Sequence, residues 1–341
     1  MKKRTYHRYD GVQALRFFAA FLVLITHSTL YATERLGIGG EVWGTGAKGV
    51  DIFFVISGFV MVISSHHLIG TPNGWSTFLL KRCTRVVPLY WMATTLKLVI
   101  LLLAASVVLH AKFDWWYILK SYFFIPSENI DGKIKPFLGV GWTLVFEMFF
   151  YLIFTLALFF KKNIFLFVGL ILLAFSSATI LRPTNYSPLW YLMDAIILEF
   201  YFGMLIGYLM LKNKRLPTMP SCIAIFLAIS YMLLSNNSLH LPRFLENGIP
   251  ATILVWSIVS LERHLQDRIP STIMFFGAAS YALYLFHPMI APAAPEILKR
   301  LSIQNSIISV IFSITLAMIA AAIIHRFAEI PAAKFFRKLN K

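Results

Sequence analysis

The chain is built from apolar blocks, most of them close to the ~20 residues that cross a hydrocarbon core, and that spacing leaves few folds open. Ten such blocks can be traced, at roughly 12–31, 45–65, 86–110, 140–160, 164–181, 189–211, 221–235, 248–262, 271–291 and 303–325. Composition agrees: 58% of the residues are hydrophobic and 13% charged, against about 45–50% and about 25% in a soluble domain. The expected fold is all-α, a polytopic transmembrane bundle of about ten spanning helices. It forms one membrane-embedded domain over 1–341, with no internal repeat and no appended soluble domain. The blocks at 221–235 and 248–262 are the shortest. The stretch "FDWWYILKSYFFIP", 113–126, is too short and interrupted to span, and reads as an interfacial or re-entrant piece with an aromatic belt.

A net charge of +16 invites a nucleic-acid reading, but its distribution excludes one. Lys2, Lys3, Arg4 and Arg8 precede the first block; Lys81, Arg82 and Arg85 lie between the second and third; Lys161 and Lys162 follow the fourth. Lys212, Lys214 and Arg215 follow the sixth, Arg263 and Arg268 the eighth, and Arg326, Lys334, Arg337, Lys338 and Lys341 close the chain. These are 19 of the 31 basic residues, and ten alternating helices would place all of them on one side. That is the positive-inside pattern, and it puts both termini in the cytoplasm. The basic start before the first block could belong to a cleaved signal peptide, but no small-x-small site follows, so an uncleaved first helix is expected. Cys83 and Cys222 fall at helix ends on the reducing side, which argues against a disulfide or a metal site.

Ionisable residues inside spans are costly and mark function. They are Arg16 and His27 in the first block, Asp51 in the second, Lys97 in the third, Glu147 in the fourth, Asp194 and Glu199 in the sixth, His287 in the ninth and His325 at the end of the tenth. Arg16 and His27 are eleven residues apart, about 20° past three helical turns and roughly 16 Å along the axis. Both therefore lie on one stripe, Arg16 near the cytoplasmic end and His27 deep toward the other leaflet. An extended ligand with a phosphate head at the arginine and a reactive tip at the histidine suits that geometry. Gly277, Ser280, Tyr284 and His287 share a face, Glu147 and Tyr151 are i, i+4 neighbours, and Asp51 shares a face with Gly58, where glycine permits close helix approach. The bland alternatives are that Arg16 and Lys97 snorkel to lipid phosphates, that the histidines bond a neighbouring helix, that Tyr281 and Tyr284 are belt or packing residues, and that Asp194 lies near the outer surface. Ionisable groups on five or six helices exceed what inert packing needs.

Two motifs are decoys. "GTGAKG", 44–49, fits a dinucleotide-binding pattern, but no strand precedes it and a span follows. His66 and His67 are adjacent and point to different helix faces.

The chain resembles the membrane-bound acyltransferase 3 family, which includes bacterial O-acetylases of surface sugars. The resemblance rests on Arg16 and His27, "GVDIFFVISGF" (49–59), the basic loop "KRCTRVVPLYW" (81–91), "WTLVFEMFFY" (142–151) and "SYALYLFHP" (280–288), in that order over nearly the whole chain. Many members carry an acidic residue three before the arginine, where this chain has Gln13, with Asp10 three further back; this is similar to the exopolysaccharide-acetylating branch. The resemblance implies a bacterial inner-membrane, multi-pass enzyme using acyl-CoA, acetyl-CoA expected, and no metal. The acceptor would be a glycan or lipid-linked sugar. Arg16, Arg82 and Arg85 would hold the donor's phosphates, with Ser280 and Tyr284 along the donor site. His27 would act as general base or transient acyl carrier, with Glu147 and His287 as further catalytic candidates. Membrane lipids are partners, a homo-oligomer is open, and nucleic acid is not expected. The rival reading is a proton-coupled transporter or flippase, disfavoured by the lack of inverted symmetry.

Overall fold

The computed structural model describes residues 9–37, 41–235 and 241–339. Lys2, Lys3, Arg4, Arg8 and Lys341, part of the charge pattern, lie outside the described residues. The described chain is all-α, with no strand and one isolated bridge between Glu128 and Ile134. Its helices are α1 Asp10–Leu36, α2 Gly49–Ser65, α3 Gly74–Leu103, α4 Trp115–Tyr122, α5 Trp142–Phe159, α6 Ile164–Ala178, α7 Leu198–Leu211 and α8 Thr218–Leu234. After them come α9 Ile249–Ser260, α10 Glu262–Leu265, α11 Ser271–Ala278, α12 Ser280–Ile290, α13 Ala293–Arg300, α14 Ser306–Ile324 and α15 Ile330–Leu339.

Every apolar block is helical, but the count of spans is smaller when length is enforced. Six helical stretches, containing α1, α2, α3, α5, α6 and α14, are long and apolar enough to cross a membrane. A seventh results if α11 and the α12–α13 segment, bent by 69°, form one broken span. The remaining blocks are shorter apolar helices, Ala195–Leu211, Thr218–Leu234 and Phe244–Ser260.

Chain direction is legible from contacts at the two ends of the bundle. At the near end, where α1 begins, the Glu262 carboxylate accepts from the backbone N–H of Asp10 (2.5 Å) and Gly11 (3.1 Å), and Asp10 accepts from the N–H of Asp267 (3.0 Å). An anion at a helix N-terminus satisfies orphan N–H groups and complements the helix dipole. At the far end, Arg35 donates to the Val107 carbonyl (2.8 Å), and Lys48 donates to the carbonyls of Met232 and Ser235 at 2.9 and 2.7 Å.

The centre is α2 against α7. A Cβ on Gly58 would overlap the Phe200 carbonyl, and one on Gly203 the Val55 carbonyl, so the two backbones touch. Such small-residue contacts hold helices together where lipid supplies no hydrophobic drive between them. Beside this crossing, Phe200 stacks on Phe54 and Phe150 with centroids 4.6 Å from each.

One local expectation is corrected. The basic residues expected in a loop stand on α3, which starts at Gly74, carries Lys81, Arg82 and Arg85, and runs on through Pro88. Spanning helices tolerate proline because neighbours re-satisfy freed backbone groups. Block 271–291 is broken at Ala279, and Pro288 is inside α12. Just before it, Gly277 lies against the Gln13 carbonyl, where a Cβ would overlap, so α11 meets α1 backbone to backbone. The 113–126 stretch forms the short helix α4, capped by Asp114, which accepts from the Tyr117 N–H at 2.8 Å; Trp115 and Trp116 are exposed.

Candidate active site

Arg16 on α1 and Arg82 and Arg85 on α3 converge on a cavity of ≈ 110 Å³ toward the near end. A wider hollow of ≈ 630 Å³ at the same end shares Arg16, Val60 and Arg85 with it, so two of the arginines stand where the two spaces join. Arg16 donates to Gln13 Oε1 across a long 3.5 Å. Arg82 donates to Ser64, lies over the Phe78 ring at 5.6 Å, and keeps a buried Nε without a partner. Among the described residues none of the three has a carboxylate within 4.0 Å. Three guanidiniums share the cavity lining with one carboxylate, Glu147, so the excess positive charge favours an anionic ligand, and their planar forks suit phosphate.

Glu147 lies deeper in the same cavity, where its Oε1 accepts from Ser57 Oγ at 3.0 Å and from the Tyr151 hydroxyl. The i, i+4 pairing of Glu147 with Tyr151 is as the spacing predicts. Ser280, Tyr281 and Tyr284 also line the cavity, and the buried Ser280 Oγ has no partner. The Tyr281 hydroxyl donates to the Val86 carbonyl at 2.8 Å, tying α12 to α3.

His27 is not in this cavity. It lines a second one of ≈ 370 Å³ at the far end, with Tyr31, Lys97, Lys135, Trp142 and Pro288. The two cavities share no lining residue. Between them, the Tyr284 hydroxyl donates to the Val140 carbonyl (3.1 Å) and lies 3.0 Å from Thr143 Oγ1.

The partner of His27 is His287, which sequence reasoning listed separately. His287 Nδ1 lies 3.0 Å from the Leu283 carbonyl, and His287 Nε2 lies 3.0 Å from His27 Nδ1. A carbonyl only accepts, so His287 carries its proton on Nδ1 and offers Nε2 as an acceptor. His27 Nδ1, which also faces the Val23 carbonyl at 3.1 Å, must then hold the proton between two acceptors. The unprotonated nitrogen of His27 is Nε2. Since His287 is 1% exposed and absent from the cavity lining, its contact to the cavity is through His27. Glu147 bonds Ser57 and Tyr151, not His27, so it does not orient the imidazole.

Asp51, fully buried on α2, is held by Arg243 in a bidentate fork, Nε to Oδ1 2.8 Å and Nη2 to Oδ2 2.9 Å. Arg243 also faces the Trp142 ring at 5.7 Å. Lys97 donates to the Phe137 carbonyl at 2.7 Å and faces the far cavity. Asp194 caps the N–H of Ile196 at 2.9 Å, in keeping with a place at the bundle's end, and His325 bonds Glu329 at 2.6 Å. No cluster of three metal-ligating side chains occurs among the described residues.

A membrane bundle with an arginine-lined cavity and a histidine pair beyond it defines a class that comparison with known families identifies: residues 9–326 match the acyltransferase 3 profile, described as "Acyltransferase domain", and the chain belongs to that family of membrane acyltransferases. It is 35% identical over 271 residues to the exopolysaccharide production protein ExoZ of Rhizobium meliloti (strain 1021), a match covering 75% of this chain and 79% of that protein. No solved structure matches the chain.

Proposed function

We propose that the protein moves an acyl group, acetyl expected, from cytoplasmic acyl-CoA to a sugar hydroxyl of an exopolysaccharide or other surface glycan at the bacterial inner membrane. The observation that carries this reading is the pair of cavities flanking His27 and His287. One bears three arginines that outnumber its single carboxylate, Glu147, and opens at the near end; the other bears the free nitrogen of His27. The likeness to an exopolysaccharide production protein supports the acceptor class.

In this reading Arg16, Arg82 and Arg85 bind the donor's phosphates, and the near cavity, which is narrow, takes only its thin arm. His27 Nε2 accepts the proton of the sugar hydroxyl as that oxygen forms the new C–O bond. The C–S bond of the thioester breaks, and His27 returns the proton to the departing thiolate. Such base catalysis contributes typically 10²–10⁴-fold. His287 holds the imidazole by its Nδ1 and shares the charge that develops on it, so it is a positioning residue.

The test is purified protein in lipid vesicles supplied with labelled acetyl-CoA and a glycan acceptor. Release of free CoA matched by label in the glycan is the expected result, lost in His27→Ala. Movement of a glycan precursor across the vesicle without CoA release would make the protein a carrier.

A further inference from the structure

The far cavity carries more positive charge than a neutral sugar needs. Lys97, Lys133, Lys135 and Arg35 line it, against Glu34 and Asp131. The two acids are already engaged by His110, at 3.4 and 3.1 Å, and Asp131 also accepts from Asn129 Nδ2 at 3.2 Å. Arg35 is 10% exposed, lies 3.7 Å from Glu296, and keeps its buried Nε without a partner. The three lysines have no carboxylate within 4.0 Å among the described residues. Lys97 uses one ammonium hydrogen on the Phe137 carbonyl, and its other two are free. At ≈ 370 Å³ the cavity falls in the range of roughly 300–1,000 Å³ usual for ligand sites. The aromatic rings of Tyr31, Tyr117 and Trp142 in its wall suit the C–H faces of sugars.

We propose, resting on the reading that this cavity takes the acceptor, that it selects acceptors bearing an anionic group, held by Lys97, Lys133 and Lys135 beside His27. The anion is either a carboxylate on the sugar or the diphosphate of a lipid-linked sugar. Its position answers a need of the histidine pair. Neither ring has a carboxylate partner among the described residues, and Lys135 lies within electrostatic reach of His27. An imidazolium forming there would have Lys135 within reach, while the cavity's two acids, Glu34 and Asp131, are engaged by His110. An anionic acceptor supplies the missing counter-charge, so the substrate completes the site that acts on it.

The experiment measures equilibrium binding of three probes to the purified full-length protein: a neutral oligosaccharide, the same oligosaccharide with one uronate, and the neutral oligosaccharide on a polyprenyl diphosphate. Charge-assisted hydrogen bonds predict that an anionic probe binds about tenfold or more tightly than the neutral one. That preference should fall with added salt, vanish in Lys97→Gln/Lys135→Gln and survive in Lys97→Arg/Lys135→Arg. Preference for the uronate identifies the carboxylate as the recognised group; preference for the lipid-linked probe identifies the diphosphate. Equal binding of all three overturns the proposal, as does a preference that the double glutamine variant retains. CoA release is followed in parallel: anion-selective binding without it would sink acyl transfer while leaving the anion site standing.

Discussion

His287→Phe keeps a ring of similar size in the pocket and removes the nitrogen that accepts from His27. In the resting state the loss is small, because the Nδ1 proton still has the Val23 carbonyl at 3.1 Å. A neutral hydrogen bond is worth about 0.5–1.5 kcal/mol. In the transition state the imidazole is becoming a cation, and the bond to His287 Nε2, 3.0 Å long at rest, becomes charge-assisted. That is worth about 1.5–3 kcal/mol, or roughly 10- to 150-fold in rate. The expectation is a fall in kcat of that size, with the apparent affinity for acyl-CoA unchanged. His27→Ala should cost more, about 10²–10⁴-fold. Because His287 acts through His27, the double variant should be no slower than His27→Ala alone. His287→Gln, whose amide oxygen can accept from His27, should recover part of the rate. The assay is release of CoA thiol at saturating acceptor, with matched protein in vesicles. A His287→Phe enzyme with wild-type kcat, or a double variant whose losses multiply, would refute the pairing as the source of the effect.

Arg16→Ala should raise the apparent KM for acyl-CoA with little change in kcat, and Arg16→Lys should restore only part of the affinity; unchanged donor dependence in both would leave Arg16 a lipid contact. Arg243→Met strands the fully buried Asp51 carboxylate and should destabilise the protein by about 3–5 kcal/mol, seen as a lower Tm in detergent, while adding Asp51→Leu should recover most of it. Burial, together with the charge of Lys133, lowers the pKa of Lys135; since only the ammonium binds an anion, acceptor affinity should fall as pH rises, starting below the range of a free lysine, and Lys135→Arg should weaken that dependence. With Cys83 and Cys222 replaced, cysteines introduced at the exposed Lys161 and Lys214 should react with an impermeant reagent only from the cytoplasm and one at Lys112 only from outside, and labelling of Lys161 and Lys112 positions from one side would sink the alternating topology.

What could be read from the chain before its structure divides along sequence distance. Helical blocks, the Glu147–Tyr151 neighbours and the close approach at Gly58 are local or periodic, and all three were legible. The contact of His27 with His287 spans 260 positions, and that of Asp51 with Arg243 spans 192. Periodicity places each residue on a face but does not say which face meets it. Arg243 was hidden for a further reason: it lies between two apolar blocks, outside the spans where ionisable residues mark function. Lys97 had snorkelling to lipid as its bland alternative, and it bonds the Phe137 carbonyl instead. The eleven-residue step from Arg16 to His27 correctly puts them on one helix, but they open into different cavities. The partition comes from Tyr284, Thr143 and Val140 on other segments, and nothing on α1 announces it.

That partition bears on what an energised membrane can tolerate. A continuous wet path would let ions run down the potential, each charge releasing about 2.3 kcal/mol per 100 mV. Here the space with the arginines ends against a tyrosine hydroxyl already committed to a carbonyl and a threonine, none of them charged. A sodium ion or a sugar phosphate would have to shed its water to pass such a barrier, and finds no counter-ion among those three groups. A slim uncharged arm displaces far less. In the acyl-transfer reading proposed above, such a septum would reject ions while a slim uncharged arm passes, so a sealed bilayer and acyl transfer are compatible in one protein.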